Sequence, residues 1–256
     1  MKNIEISNEI ILYAYHGGLG DNLQFSTLPE MFSKAGKKVY IWSKAYFRNR
    51  EIYDLVWGAN PYILGIKDGV WNAGDTPEIG HKTINNQCIA NWEILHGLEP
   101  TNIYPKIYYK PNFVPGLENT ILIDVSSITR TYDQSKIDIA LTEIKEKNPE
   151  KRFSFVRFAR SINPPAMISI AHNGVHRKYT AAAEESIEIN NIFEYCDLIR
   201  SSCGIVALHS GASHLSSALK AYNPDLKSYC IIDKDVYTYH RDKALFIFDN
   251  VEYVII

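Results

Sequence analysis

The sequence predicts an α/β protein of two domains, each built on a mostly parallel sheet. Three observations carry that reading. Apolar β-forming runs alternate with amphipathic segments along the chain. Two turns of small residues each follow a strand and open a helix, one in each half. Between the halves, four prolines (Pro100, Pro105, Pro111 and Pro115) fall within one short stretch and mark a candidate linker of extended, poorly packed chain. The expected division is residues 1–112 and 113–256.

In the first half, Glu9 to His16 (EIILYAYH) is a nearly continuous apolar run, as a strand buried on both faces requires. Gly17 to Asn22 is a glycine-rich turn. Leu23 to Ala35 then places Leu23, Leu28, Met31 and Phe32 at helical spacing, ending near Gly36. Pro29 fits a first-turn position or a kink, not an unbroken helix interior. Lys38 to Trp42 is the next strand and completes a βαβ unit. Arg50 to Trp57 reads as a helix, Tyr62 to Ile66 as a strand, Asp68 to His81 as loop, and Asn86 to His96 as a helix.

The pattern restarts with the strand Thr120 to Val125 and the helix Lys136 to Lys147. Phe153 to Phe158 and Met167 to Ala171 read as strands, with an acidic segment holding Glu184, Glu185 and Glu188 after them. Asn191 to Ser201 is a helix, Ile205 to Leu208 a strand, Ala212 to Ala221 a helix and Tyr229 to Ile232 a strand. Ala244 to Phe248 and Glu252 to Ile256 are short β-like runs.

Composition narrows the function. The formal net charge is -2, so no global field favours nucleic acid. No stretch approaches the ~20 apolar residues of a membrane helix. Acidic residues stand where a signal peptide has its apolar run, so the expected location is the cytoplasm, with a peripheral stay at the inner face of the membrane left open. The four cysteines form neither CxxC nor a zinc-finger spacing and read as reduced thiols in the core or on helix faces. No residue set calls for a metal or a bound cofactor: His172 and His176 stand in HNGVH, which is not HExxH.

The two turns carry the chemistry. His16-Gly17-Gly18-Leu19-Gly20-Asp21-Asn22 lies at the carboxyl end of the first strand, where open α/β sheets bind ligands. It fits neither the dinucleotide fingerprint nor the Walker pattern. It presents one carboxylate, Asp21, at a helix start, either as an N-cap or as a reactive group. His209-Ser210-Gly211-Ala212-Ser213-His214 follows the strand GIVAL and opens a helix. Such a turn offers backbone N–H groups and a positive dipole end, an anion site most often used for phosphate, or else a plain connection capped by Ser.

Together the turns resemble a known pair. Gly18-Leu19-Gly20-Asp21 followed by Leu28-Pro29, and Tyr195 to Ile199 leading through Ser210-Gly211-Ala212-Ser213-His214-Leu215 to Leu219, are similar to two segments of the heptosyltransferase-like glycosyltransferases of family nine. The resemblance covers the first ~45 residues and roughly residues 190–220. It implies a GT-B architecture: two Rossmann-like domains facing a cleft, the acceptor-side domain first and the nucleotide-sugar domain second. It implies an inverting, metal-independent transfer to a glycan or glycolipid of bacterial surface polysaccharide or lipopolysaccharide. By that resemblance Asp21 is the general base, Ser210, Gly211, Ala212 and His214 cradle the pyrophosphate, and Arg130 after TILIDVSS contacts the phosphates. Glu188 takes the place of a ribose-binding carboxylate, and His16, Gly18, Gly20 and Asn22 line the acceptor side. His172, Asn173 and Arg177 lie where a strand-end loop would reach the nucleotide.

Two departures stand out. His209 occupies the position of the family's Asp before Ser/Thr-Gly, and the chain is shorter than typical members, mainly in the first domain. They motivate two rival readings: a GT-B nucleotide-sugar epimerase or hydrolase, and a non-catalytic homologue that binds a nucleotide or a partner.

Overall fold

A computed structural model describes residues 8–76, 82–126, 132–159 and 185–256. The chain divides into two compact units, Met1–Tyr109 with Asp242–Phe246, and Lys110–Arg241 with Ile247–Ile256.

The first unit holds β1 (Glu9–Tyr13), α1 (Leu19–Leu23), α2 (Leu28–Lys34), β2 (Lys38–Trp42), α3 (Arg50–Tyr53), β3 (Ile63–Lys67), β4 (Ala73–Gly74) and α4 (Cys88–Leu95). A π-helical turn, Asp54–Gly58, continues α3. The sheet runs β3-β2-β1-β4, and every pairing is parallel. Ile10 pairs with Val39 and Leu12 with Ile41, and all four are buried. Leu12 and Ile41 line the same apolar space as Phe25 and Trp57 on the helix side. There Trp57 Nε1 bonds Asn22, Trp92 Nε1 bonds Gln24, and Phe25 packs on Trp92 at 4.6 Å. The opposite face, with Ile11, Tyr13, Tyr40 and Trp42, is crossed by the short strap 68–72 that joins β3 to β4. Asn72 of this strap bonds the β1 backbone at Ile11 and Glu9.

The expected helix Leu23 to Ala35 is two helices. α1 starts earlier, at Leu19, and residues 24–27 break it from α2. Pro29 then sits in the first turn of α2, where no intrahelical N–H is needed.

The second unit holds β5 (Thr120–Asp124), α5 (Gln134–Glu146), β6 (Arg152–Phe158), β7 (Glu185–Ile189), α6 (Ile192–Ser201), β8 (Gly204–Leu208), α7 (Gly211–Leu219), β9 (Lys227–Ile232), α8 (Lys234–Asp242) and β10 (Glu252–Ile255). Its sheet runs β10-β9-β8-β5-β6-β7, again parallel at every pairing. The central strands β5 and β8 are buried at every residue, which is why they read as unbroken apolar runs. Ile121 and Ile123 pack with Ile137, Leu141 and Ile144 of α5 in one core. Asp133, Asn191 and Ser210 cap α5, α6 and α7 through their side-chain oxygens.

Three expectations change. Glu185–Ile189 is a strand rather than a solvated acidic segment: it pairs with β6 at the sheet edge, so its glutamates face water while Ile189 is buried. Ala244 to Phe248 is not a strand: Ala244 (φ 50°) and Phe246 (φ 56°) both take the left-handed conformation, incompatible with a ladder. The proline-rich stretch is tied down rather than loose. Lys106 N–H donates to Ser26, Thr101 and Asn102 donate to Glu93, and further on Asn112 and Val114 donate to Asp197 and Ser201 of α6. The expected strand Met167 to Ala171 lies outside the described residues. The four cysteines are free thiols, and three of them are buried.

Candidate active site

In both sheets the strand order reverses once, between β1 and β4 in the first and between β5 and β8 in the second. In open α/β sheets ligands bind at the carboxyl ends of the strands at such a point. The first glycine turn leaves β1 and the Ser210 turn leaves β8, so each occupies a switch point.

Asp21 is the third residue of α1, not its N-cap; the N-cap is Gly18. The Asp21 carboxylate reaches back to accept from the Gly18 backbone N–H. A Cβ on Gly18 would lie 2.5 Å from Asp21 Oδ2 and 3.8 Å from the Arg48 guanidinium carbon, so carboxylate and guanidinium converge above a residue that must lack a side chain. Arg48 N–H in turn donates to the Gly17 carbonyl at 3.0 Å, holding the loop after β2 against the turn. Burial raises the Asp21 pKa from its ordinary value, and His16, Arg48 and the Gly18 amide offset only part of the rise. The arrangement is a half-buried carboxylate with a proton affinity greater than that of an ordinary aspartate, suited to accept a proton.

The other turn residues divide by role. His16 is exposed beside the carboxylate. Gly20 is buried within α1. Asn22 was expected on the acceptor side, but it is fully buried: its Nδ2 donates to the Gly18 carbonyl at 2.7 Å and its Oδ1 accepts from Trp57 Nε1 at 2.7 Å. It braces the turn from beneath.

In the second unit Ser210 caps α7. Ala212 N–H donates to Ser210 Oγ at a long 3.3 Å, Ser213 Oγ donates to the Ser210 carbonyl, and Ser210 N–H donates back to Ser213 Oγ. The serines thus fold the turn, with Ser210 Oγ taking the Ala212 amide, and Gly211 opens the helix at its positive dipole end. Three histidines gather behind them. The His209 ring stacks on His240 of α8 at 4.8 Å and meets His214 edge-on at 5.4 Å, and His214 meets Phe248 edge-on at 5.6 Å. All three are buried. Beside the turn, across the switch point, the Asp124 carboxylate at the end of β5 accepts from Tyr195 Oη at 2.7 Å and from Ser126 N–H at 3.0 Å. These bonds fix the chain at Ser126, directly after β5. Among the described residues no group of three His, Cys, Asp or Glu side chains is placed to hold a metal.

No protein-family model and no curated protein matches the sequence. Solved structures do. The chain is similar to TibC from enterotoxigenic E. coli H10407, an iron-containing dodecameric glycosyltransferase, with TM-score 0.57 and 15% identity over 96% of this chain and 61% of that one. It is similar to a family 9 glycosyl transferase from Veillonella parvula DSM 2008 (TM-score 0.58, 7% identity, 97% of this chain, 85% of that) and to the E. coli heptosyltransferase WaaC with ADP (0.57, 9%, 96% and 93%). This is the GT-B fold of the family nine glycosyltransferases. The chain spans about three fifths of the length of TibC.

Within the GT-B fold the sequence-derived residues fall out unevenly. Asp21, Gly18 and His16 share one switch point; Ser210, Gly211, Ala212, His209 and His214 share the other. Glu188 is exposed at the carboxyl end of the edge strand β7, three strand spacings from β8, about 14 Å. The structure does not bring it to the turn. Arg130, His172, Asn173, His176 and Arg177 lie outside the described residues. Arg48 and His240 were not legible: neither belongs to a motif, and each reaches its site only through the fold. Asp124 carried a signal that went unused, an acid ending an otherwise apolar strand.

Proposed function

We propose that the chain is a glycosyltransferase that moves a sugar from a nucleotide-sugar to a glycan or glycolipid acceptor with inversion and without a catalytic metal. The observation that supports this reading best is that each motif turn occupies the switch point of its own parallel sheet, in a fold shared with family nine enzymes. In the proposed reaction the acceptor hydroxyl oxygen forms a bond to the anomeric carbon. Its proton passes to the Asp21 carboxylate. The bond from that carbon to the phosphate oxygen breaks, and the nucleoside diphosphate leaves with the electron pair. The Gly211 amide and the α7 dipole stabilise the charge that develops there. Arg130 is proposed as a further phosphate contact.

ADP-based donors come first in any screen, because solved structures of similar chains are TibC in complex with ADP-D-beta-D-heptose and WaaC with ADP. The expected site of action is the cytoplasm, with a peripheral stay at the inner face of the membrane left open. Among the described residues no helix is long and apolar enough to cross a membrane.

The test is thermal stabilisation in EDTA by nucleoside diphosphates and nucleotide-sugars, in the wild type and in Gly211→Asp. Stabilisation by one nucleotide, lost in the variant, supports the donor site. No stabilisation at millimolar concentration overturns it. A second reading, a nucleotide-binding homologue without catalysis, rests on His209 being folded into the histidine stack where the family has an acid. It predicts nucleotide binding with no sugar transfer to any acceptor.

A further inference from the structure

Among the described residues, the face of the first sheet opposite α1 and α2 holds no helix and carries a wall of aromatic rings. A doubly wound domain covers both sheet faces with helices. Here the strap 68–72 does that work on one face, and it is too short for a helix. Under it, Gly69 lies so close to Ile11 that a Cβ would meet its Cδ1 at 2.9 Å, and Trp42 Nε1 donates to the Gly69 carbonyl at 2.9 Å. Beside it, Tyr13, Trp42 and Trp71 pack on one another with centroids 4.5–5.1 Å apart and planes tilted by 51–75°. Tyr15 meets Tyr13 edge-on at 6.1 Å and His16 at 4.9 Å, and it is 60% exposed. Tyr13 and Trp42 end β1 and β2, so the wall stands at the carboxyl edge of the sheet. Along the chain it runs through Tyr15 and His16 directly into the Gly17–Asp21 turn.

We propose that this wall is a saccharide subsite: it stacks a neutral sugar ring of the acceptor and leads its hydroxyl toward Asp21. The inference rests on the glycosyltransferase reading for its purpose, but its geometry is independent of it. Sugar rings present C–H groups on one face and hydroxyls at the rim. The C–H face suits the negative face of an aromatic ring. The rim suits the polar groups that border this wall: Ser43 and Asp68, bonded to each other, the amide of Asn72, and the Lys67–Glu9 pair at 2.5 Å. Tyr15 presents its ring to solvent beside the Gly17–Asp21 turn, within reach of a ring whose hydroxyl is to meet Asp21.

The intact chain provides the test. It has four tryptophans, of which Trp57 and Trp92 are buried on the other face, so a saccharide-induced change in emission reports on Trp42 and Trp71. Methyl glycosides of glucose, galactose, mannose and a heptose are titrated against the wild type, Trp71→Ala and Tyr15→Ala, with ADP-induced thermal stabilisation measured on the same proteins. The expected result is a saturable emission change in the wild type, weakened about tenfold in both variants (~1.4 kcal/mol), with ADP stabilisation retained. No response to any glycoside, or a response indifferent to both substitutions, overturns the subsite. Self-association of the wild type that Tyr15→Ala abolishes assigns the wall to a second copy and also overturns it. A saccharide response in a protein that no nucleotide stabilises keeps the subsite and removes the transferase reading.

Discussion

Asp21 Oδ2 lies 2.5 Å from the ideal position of a Cβ on Gly18, closer than a side chain there allows. The glycine is therefore a condition of the carboxylate's placement, not only of the turn. Gly18→Ala should expel the carboxylate from its bond to the Gly18 amide and lower kcat/KM nearly as far as Asp21→Asn. For loss of a general base that is about 10²–10⁴-fold. Nucleotide-induced stabilisation, which reports on the second unit, should be unchanged in both. Sugar transfer by Asp21→Asn at the wild-type rate would remove Asp21 from the chemistry.

Burial raises the Asp21 pKa from its ordinary value, and His16 and Arg48 pull it partly back. The base works only when ionised, so activity should be lost as pH falls through this raised value. Removing a neighbouring positive charge raises the pKa further. Arg48→Gln should therefore shift the acidic limb of the kcat/KM profile to higher pH while leaving the alkaline plateau near the wild-type level. A limb that stays in place, or moves to lower pH, contradicts the proposed role of Arg48.

Gly211 opens α7, and an aspartate in a first helical turn is favoured by the helix dipole. Gly211→Asp should thus fold with wild-type or slightly raised stability. The same carboxylate sits where the phosphates are proposed to bind, so nucleotide affinity should fall by at least tenfold. Calorimetric titration with ADP beside an unfolding curve separates the two effects. A variant that loses stability and affinity together would not support the site.

Much of this architecture was legible because buried parallel strands must be apolar throughout. β5 and β8 announce themselves as TILID and GIVAL. β7 did not, because an edge strand wets one face and its glutamates imitate a helix entry. The start of α1 was hidden by Gly20, a poor helix former whose burial under the turn outweighs its propensity. At the site, the residues that follow a strand directly were found, since the turn itself is the signal. Arg48 and His240 come from other elements and meet their partners through tertiary packing alone. The proline-rich stretch misled for a related reason: prolines forbid regular structure, but they leave Lys106 and Tyr108 free to bond the helix beside them.

That last contact has its own consequence for pH. Burial alone would raise the Glu30 pKa, but bonds from Lys106, Lys34 and Tyr108 outweigh it and hold it down to about 2. The Lys106 and Lys34 nitrogens lie 2.7 and 2.6 Å from its oxygens, and the carboxylate is only 10% exposed. The group binds its proton less readily folded than unfolded, so its contribution is complete above the unfolded value near 4.5 and is lost as pH falls toward 2. The depression corresponds to stabilisation on the order of 3 kcal/mol. Glu30→Gln should therefore destabilise the first unit at neutral pH, releasing the segment that carries Lys106 and Tyr108 from α2. The gap between variant and wild type should narrow steadily below about pH 4.5. Urea unfolding at a series of pH values measures it directly. A gap that stays constant down to pH 2 would mean that the Glu30 contacts act through packing rather than through charge.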